Sequence, residues 1–348
     1  MTALIRVGAS SSKATNLQAV EEHPLSRIGL GAWAFGGVGW GPQDDRDSIA
    51  AIHRAVELGV NWIDTAAVYG GGHAELVVGK ALSDLACAER PLVFTKAGVH
   101  IDPDTGKTYR DLSPTSLRAE CEASLKRLGV EHIDLYQLHW PVADPDVVVL
   151  AWETLGELRT EGKIRWAGVS NFEVPLLERC ASSRPIDTAQ VPLSLVSRRS
   201  ADHILPWALL HGTYSLVYSP LESGLLSGRF SLDRLAALPA DDWRQHRLQF
   251  QTPGVERSLR LVELLRPICD EIGVSVTELA IAWCLRWPAV TGAIVGARSS
   301  DQVDGWINAG ALTLEDAILD RISTALHETG AGEGPRTAPH RPATPATA

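Results

Sequence analysis

Eight times along this chain a short apolar run is set against a longer stretch with helical periodicity, and that alternation limits the fold more than any single motif does. VNWID precedes a stretch that begins near His73, PLVFTK one that begins after Pro114, and HIDLYQL one that runs through Trp152 and Leu158. IGLGAW comes before a helical pattern over 45–58, KIRWAGVS before one near 173–180, and IDTAQV before one near 202–210. SLVYS and GAIVG complete the set, the latter followed by a helix from Ser299. Runs that are apolar nearly throughout suit strands covered on both faces, and repeated strand–helix units predict a parallel sheet.

Two architectures satisfy that order: a closed (β/α)8 TIM barrel and an open doubly wound sheet. The barrel is favoured, because eight units are present and no Pro/Ser linker or shift in composition divides them. The expected organisation is a flexible N-terminal segment over 1–25, one α/β barrel over 26–329, and a disordered tail over 330–348, where AGEGPRTAPHRPATPATA cannot supply a core face. Between 221 and 290 the chain is too long for one connection. Its second half reads as two extra helices after the seventh strand, and its first half, SGLLSGRF to LPADDWRQHRLQFQTP, as a long lid loop.

A formal charge of −10 speaks against partners that need a basic face, so neither nucleic acid nor an anionic membrane is expected. The five cysteines are scattered, odd in number and without a CxxC pair; they read as reduced thiols of a cytoplasmic protein, with no metal site. No signal peptide or membrane-spanning run is evident.

In a barrel of this kind the active site lies at the carboxyl ends of the strands, which singles out Asp64, Lys96, His139, Ser170, Asn171 and Gln190. Each alone has a plainer reading: Asp64 or Ser170 as a helix cap, Lys96 as a solvated strand end, His139 as a hydrogen-bonded core histidine. Together with Tyr69 they converge on one mouth. A phenol titrates near ~10 in model compounds, so a tyrosine acid calls for a nearby cation, which Lys96 supplies and Asp64 holds in place. His139 is then placed to hydrogen-bond a carbonyl oxygen. That set serves addition of hydride to a carbonyl carbon, and hydride requires a cofactor.

At these residues the sequence resembles the aldo-keto reductase superfamily, over nearly everything from Ile28 to the helix after Arg298. GVNWIDTAAVYGGGHAELVVGKAL resembles the signature around that family's catalytic aspartate and tyrosine, VEHIDLYQLHWP the strand ending in its histidine, and RWAGVSNF its nicotinamide-binding strand end. The resemblance implies Asp64, Tyr69, Lys96 and His139 as a catalytic tetrad and NADP(H) as cofactor. It implies that Ser170, Asn171 and Gln190 bind the carboxamide and that Tyr218 stacks on the nicotinamide ring. Ser219, Pro220, Leu221, Gly224 and Leu225 in VYSPLESGLLSG are implied along the cofactor. In GAIVGARSSDQV, Gly296, Arg298, Ser299 and Gln302 are implied at the adenosine phosphate, with Arg298 on the 2′-phosphate.

No GxGxxG fingerprint is present; the run GLGAWAFGGVGWG reads instead as a pocket-shaping first loop. Two positions depart from the family pattern: Trp306 stands where an asparagine near the adenine is frequent, and Val142 where an aspartate is frequent. Trp33, Trp40 and Trp140 are expected at the pocket mouth against a small-molecule carbonyl substrate, and Arg229 and Arg244 as candidates for cofactor phosphates. Two alternatives stay open. One is a reductase of nucleotide-activated keto-deoxysugars, with Arg110, Arg198, Arg199 and Arg244 as cations for a diphosphate. The other is a redox-sensing module similar to potassium-channel β-subunits. The sequence leaves the oligomeric state undetermined.

Overall fold

The computed structural model describes residues 24–37, 39–239 and 242–339. Eight parallel strands close into a barrel: β1 (Ile28–Gly31), β2 (Trp62–Asp64), β3 (Leu92–Ala97), β6 (Ile133–Leu138), β7 (Ile164–Ser170), β8 (Thr188–Pro192), β9 (Tyr214–Tyr218) and β10 (Val290–Gly296). The loop after β3 carries a small antiparallel hairpin, β4 (Val99–Ile101) and β5 (Thr108–Arg110). This is the (β/α)8 fold that the alternation predicts.

The surrounding helices are α1 (Asp45–Glu57), α2 (His73–Ser83), α3 (Pro114–Leu128), α4 (Pro145–Thr160), α5 (Val174–Ser183) and α6 (Ile204–His211), followed late in the chain by α10 (Ser300–Asp304) and α11 (Asp316–Thr329). Local signals set their starts. Ser113 and Asp144 accept hydrogen bonds from first-turn amides of α3 and α4, and each is followed by a proline at the first helical position, where a missing N–H costs nothing. Gly129 and Gly212 close α3 and α6 in the left-handed conformation.

Period-two alternation divides the strands between two cores. Trp62, Phe94, Leu135, Trp166, Leu216 and Ile294, from six different strands, fill the barrel interior. Their neighbours, such as Ile63, Val93, Tyr136 and Val217, face the helices. Trp62 fits because β1 and β10 present glycine beside it: a Cβ on Gly29 would lie 2.3 Å from the indole, and one on Gly292 2.8 Å. The indole also donates to the Ser26 carbonyl at 2.9 Å and stacks on Phe94.

After β9 the chain forms the expected lid and two extra helices, α8 (Gly254–Ile272) and α9 (Val276–Leu285). In α8, Val255, Ser258, Leu261, Val262, Leu265, Ile268 and Cys269 are buried, the spacing of one helical face. The lid is more ordered than its composition suggests. Among its described residues it holds the short helix α7 (Leu232–Ala236) and three 3₁₀ turns, and Leu225, Phe230, Phe250 and Val255 give it a core of its own.

Packed structure continues past the expected tail boundary at 330. Residues 331–339 lie against the loop after β8, with Ala331 and Ala338 buried and Glu333 bridging Ser197. Arg198 anchors them: its fully buried guanidinium donates to the carbonyls of Ala331 (3.1 Å), Pro335 (2.9 Å), Gly334 and Leu195. A segment poor in apolar residues is held here by hydrogen bonds to its backbone, a signal that composition does not carry. Residues 1–23 and 340–348, where the remaining expectations for the ends fall, lie outside the described residues.

Candidate active site

The alternation that points Trp62 and Phe94 inward also points inward the residues two positions later, Asp64 and Lys96. A layer of polar side chains therefore sits directly above the apolar filling. Strand register brings Lys96 beside Gln137 and Ser170 beside Gln190. Lys96 Nζ reaches Asp64 Oδ1 at 2.5 Å, the Thr65 carbonyl at 2.9 Å and the Tyr69 hydroxyl at 3.5 Å. Gln190 Nε2 holds the other Asp64 oxygen at 2.8 Å. Lys96 and Asp64 are buried, so this ion pair is shielded from water.

Tyr69 leaves β2 on a short turn in which Gly70, Gly71 and Gly72 all have positive φ. The close neighbour is the first loop: a Cβ on Gly36 would lie 2.6 Å from the Gly70 nitrogen, and one on Gly70 2.5 Å from the Gly36 carbonyl oxygen. Only glycine on both sides lets the two backbones meet, and that meeting sets the tyrosine over Lys96. His139, directly after β6, faces it with ring centroids 5.8 Å apart.

Burial dominates the electrostatics of these groups. It pushes the Tyr69 hydroxyl well above its ordinary value, and Asp64 adds to the effect. It lowers the Lys96 ammonium, against which Asp64 works, and it holds His139 well below the usual imidazole value, with Lys96 and Arg110 contributing. The sequence leads one to expect a phenol tuned downward by its lysine, whereas here burial and Asp64 both act in the opposite direction. The arrangement consequently presents a neutral phenol and a neutral imidazole side by side, both hydrogen-bond donors.

Around this centre the implied cofactor residues gather at neighbouring strand ends. Asn171 donates to the His139 carbonyl at 3.0 Å and to Ser170 Oγ at 3.1 Å, and its Oδ1 accepts from Tyr218 Oη at 2.7 Å. Ser170 Oγ donates to the Gln190 carbonyl at 3.1 Å. Asn171, Ser219, Glu222 and Ser223 are the non-glycine residues with positive φ among those described, and all four stand in the loops after β7 and β9. Such backbone is costly and concentrates where a ligand is handled. Amides, a hydroxyl and a half-buried phenol ring together suit a carboxamide and a flat aromatic ring, so the donor set fits a nicotinamide.

The mouth is walled by tryptophans, one of which the sequence reasoning missed. Trp33 lies 5.1 Å from Trp40 and 6.1 Å from Tyr69, while Trp243, carried by the lid, lies 5.1 Å from Trp33 and 5.4 Å from Trp40. DDWRQHR read as loop, and nothing in its pattern says that the indole folds back. Trp140 is exposed, with Arg110 5.1 Å above its ring.

Other expectations change. Leu225 points into the lid core, and Trp306 is buried. Arg229 is exposed, and Arg244 is paired with Asp242 at 2.7 Å beneath Trp40. Of the four arginines considered for a substrate diphosphate, Arg198 is spent on the tail, Arg199 pairs with Glu333, and Arg244 is in the lid pair, which leaves Arg110 near the mouth. At the end of β10, Ser299 and Gln302 flank Arg298, but α10 is only five residues long.

Comparison with known proteins agrees with this picture. The Aldo/keto reductase family profile matches residues 27–327. The chain is 36% identical over 306 residues to aldo-keto reductase YhdN of Bacillus subtilis, covering 87% of this chain and 91% of that protein. It is 34% identical over 321 residues to the NADH-specific methylglyoxal reductase of Escherichia coli, covering 87% and 96%. Among solved structures, the glycerol dehydrogenase AKR11B4 of Gluconobacter oxydans superposes with a TM-score of 0.81 at 36% identity, over 91% of this chain and 96% of that one. An aldo/keto reductase of Klebsiella pneumoniae in complex with NADP and acetate gives 0.65 at 26% identity, over 92% and 97%. The chain belongs to the aldo/keto reductase family. Among the described residues, no helix is long and apolar enough to cross a membrane, and no cluster of metal-binding side chains occurs.

Proposed function

We propose that this chain reduces an aldehyde or ketone to an alcohol, with NADP(H) as cofactor and Tyr69 as the general acid. The observation that carries the reading is the buried relay Gln190–Asp64–Lys96 ending on the Tyr69 hydroxyl, with His139 beside it.

A bound nicotinamide cofactor supplies the hydride; Ser170, Asn171, Gln190 and Tyr218 would hold its nicotinamide end, and Arg298, Ser299 and Gln302 its adenosine-phosphate end. Tyr69, protonated because burial raises it, gives its proton to the oxygen that gains charge as the carbonyl is reduced. Lys96 then lies 3.5 Å from the phenolate left behind and stabilises it, held in place by Asp64. Neutral His139 donates to the same substrate oxygen and orients it. Trp33, Trp40 and Trp243 give the mouth an apolar wall, which suits an uncharged carbonyl compound over a diphosphate-bearing one.

Tyr69→Phe tests the assignment. It should lower kcat by about 10²–10⁴-fold, the usual worth of a positioned acid, while a fluorescence titration still shows cofactor binding. Full turnover by the phenylalanine variant would remove Tyr69 from the role. The same titration, run with NADPH and NADH on the unaltered protein, tests the cofactor.

A further inference from the structure

Arg298 occupies the position implied for the 2′-phosphate, yet its side chain is already engaged elsewhere. Nε donates to Gln43 Oε1 at 2.6 Å, Nη1 to the Trp40 carbonyl at 3.0 Å, and Nη2 to the Pro42 carbonyl. Gln43 replies by donating to the Arg298 carbonyl at 3.0 Å, and Gln302 Oε1 accepts from the Arg298 amide at 2.9 Å. Three consecutive contacts with the β1–α1 loop do not describe a surface arginine waiting for an anion. A guanidinium has five N–H donors; the loop takes three and two remain.

We infer that Arg298 is a positioning residue of the substrate wall as well as a phosphate contact: it fastens the loop that carries Trp40, and so ties the adenosine-phosphate end of the cofactor groove to the tryptophans above Tyr69. The path is continuous. Trp40 packs edge-on against Trp33, Trp33 lies 6.1 Å from Tyr69, and Trp243 closes the group from the lid. The indole nitrogens of Trp40 and Trp243 are buried without an acceptor, so their rings are held by packing, by Arg244 and Arg247 stacked on them at 5.4 and 5.3 Å, and by the backbone that carries them. For Trp40 that backbone hangs on Arg298. The inference rests on the cofactor reading only for the two N–H donors assigned to phosphate; the hold on the loop exists without nucleotide.

Gln43 separates the two roles, since it holds the same latch from the loop side. The experiment measures acrylamide quenching of tryptophan emission in the nucleotide-free protein, together with kcat and KM for a carbonyl substrate at saturating cofactor, in Arg298→Ala, Arg298→Lys and Gln43→Ala. Quenching should rise in all three. Gln43→Ala should raise KM about tenfold, equivalent to ~1.4 kcal/mol, with kcat and the preference for NADPH over NADH unchanged. Arg298→Lys should recover part of the affinity for 2′,5′-ADP, because the charge returns, while quenching and KM stay high, because one ammonium cannot replace the planar fork. Unchanged quenching in Gln43→Ala and Arg298→Ala overturns the inference, as does a lysine variant that restores KM and phosphate affinity together. If the unaltered protein binds neither nucleotide in titration, the cofactor reading fails, and the quenching result still decides the latch.

Discussion

Replacing Lys96 with methionine removes one half of a buried ion pair and leaves the other behind. At 2.5 Å and an effective dielectric of ~20, the gross attraction between the two charges is about 7 kcal/mol. The desolvation of both groups offsets much of that, so the pair adds far less than its Coulomb energy to stability. Breaking it is another matter. Asp64 would keep one partner, Gln190 Nε2 at 2.8 Å, and lie uncompensated beneath the barrel mouth. Stranding a buried charge costs roughly 3–5 kcal/mol, which for a domain of this size corresponds to a fall in Tm of roughly 5–8 °C. In Lys96→Met combined with Asp64→Asn the stranded charge is gone, and most of that loss should return while turnover does not. Equilibrium urea denaturation of the two single variants and the double variant gives the coupling directly. A single-variant loss below about 1 kcal/mol, the range of exposed pairs, would show that Asp64 and Lys96 are not the shielded unit described above.

Two further outcomes follow from the titrating groups. Glu120 accepts from the Gly98 amide at 3.0 Å, and burial raises its carboxyl to about 8 from 4.5, so between those values the folded state holds a proton that the unfolded chain has released. Stability should therefore decline as pH rises through that window, and Glu120→Gln should flatten the decline in thermal melts; an identical slope in the variant refutes the assignment. At the active site, kcat/KM for carbonyl reduction reports the free enzyme. With His139 held neutral and Tyr69 held protonated, the profile should be level through the ordinary histidine range, and a step near pH 6.5 that vanishes in His139→Asn would contradict that account.

How much of this was legible beforehand depends on what kind of interaction sets each residue. The barrel and the inward row were readable because alternation is written into the strands: Trp62 then Asp64, Phe94 then Lys96. Tyr69 could be found through its motif, but its height over Lys96 depends on Gly36 meeting Gly70 across two loops, a tertiary contact with no local signature. Trp243 escaped because a lid indole folding onto Trp33 leaves no periodic trace. The hold of Arg298 on the first loop was not readable, since its partners there lie 255 and more residues earlier in the chain. Likewise, the direction of the Tyr69 shift turns on how deeply the site is buried, which a list of neighbouring charges does not contain.

The Arg198 anchor bears on where this protein can be cut. A truncation placed after Thr329, where the last helix ends and the composition turns to proline, threonine and alanine, would look harmless on paper. It would strip the buried guanidinium of the acceptors at Ala331, Gly334 and Pro335, leaving a charge with the Leu195 carbonyl alone in a space that water would then enter. The packed chain thus runs past the last helix by at least six residues, to Pro335, and an expression boundary is better placed beyond that clasp.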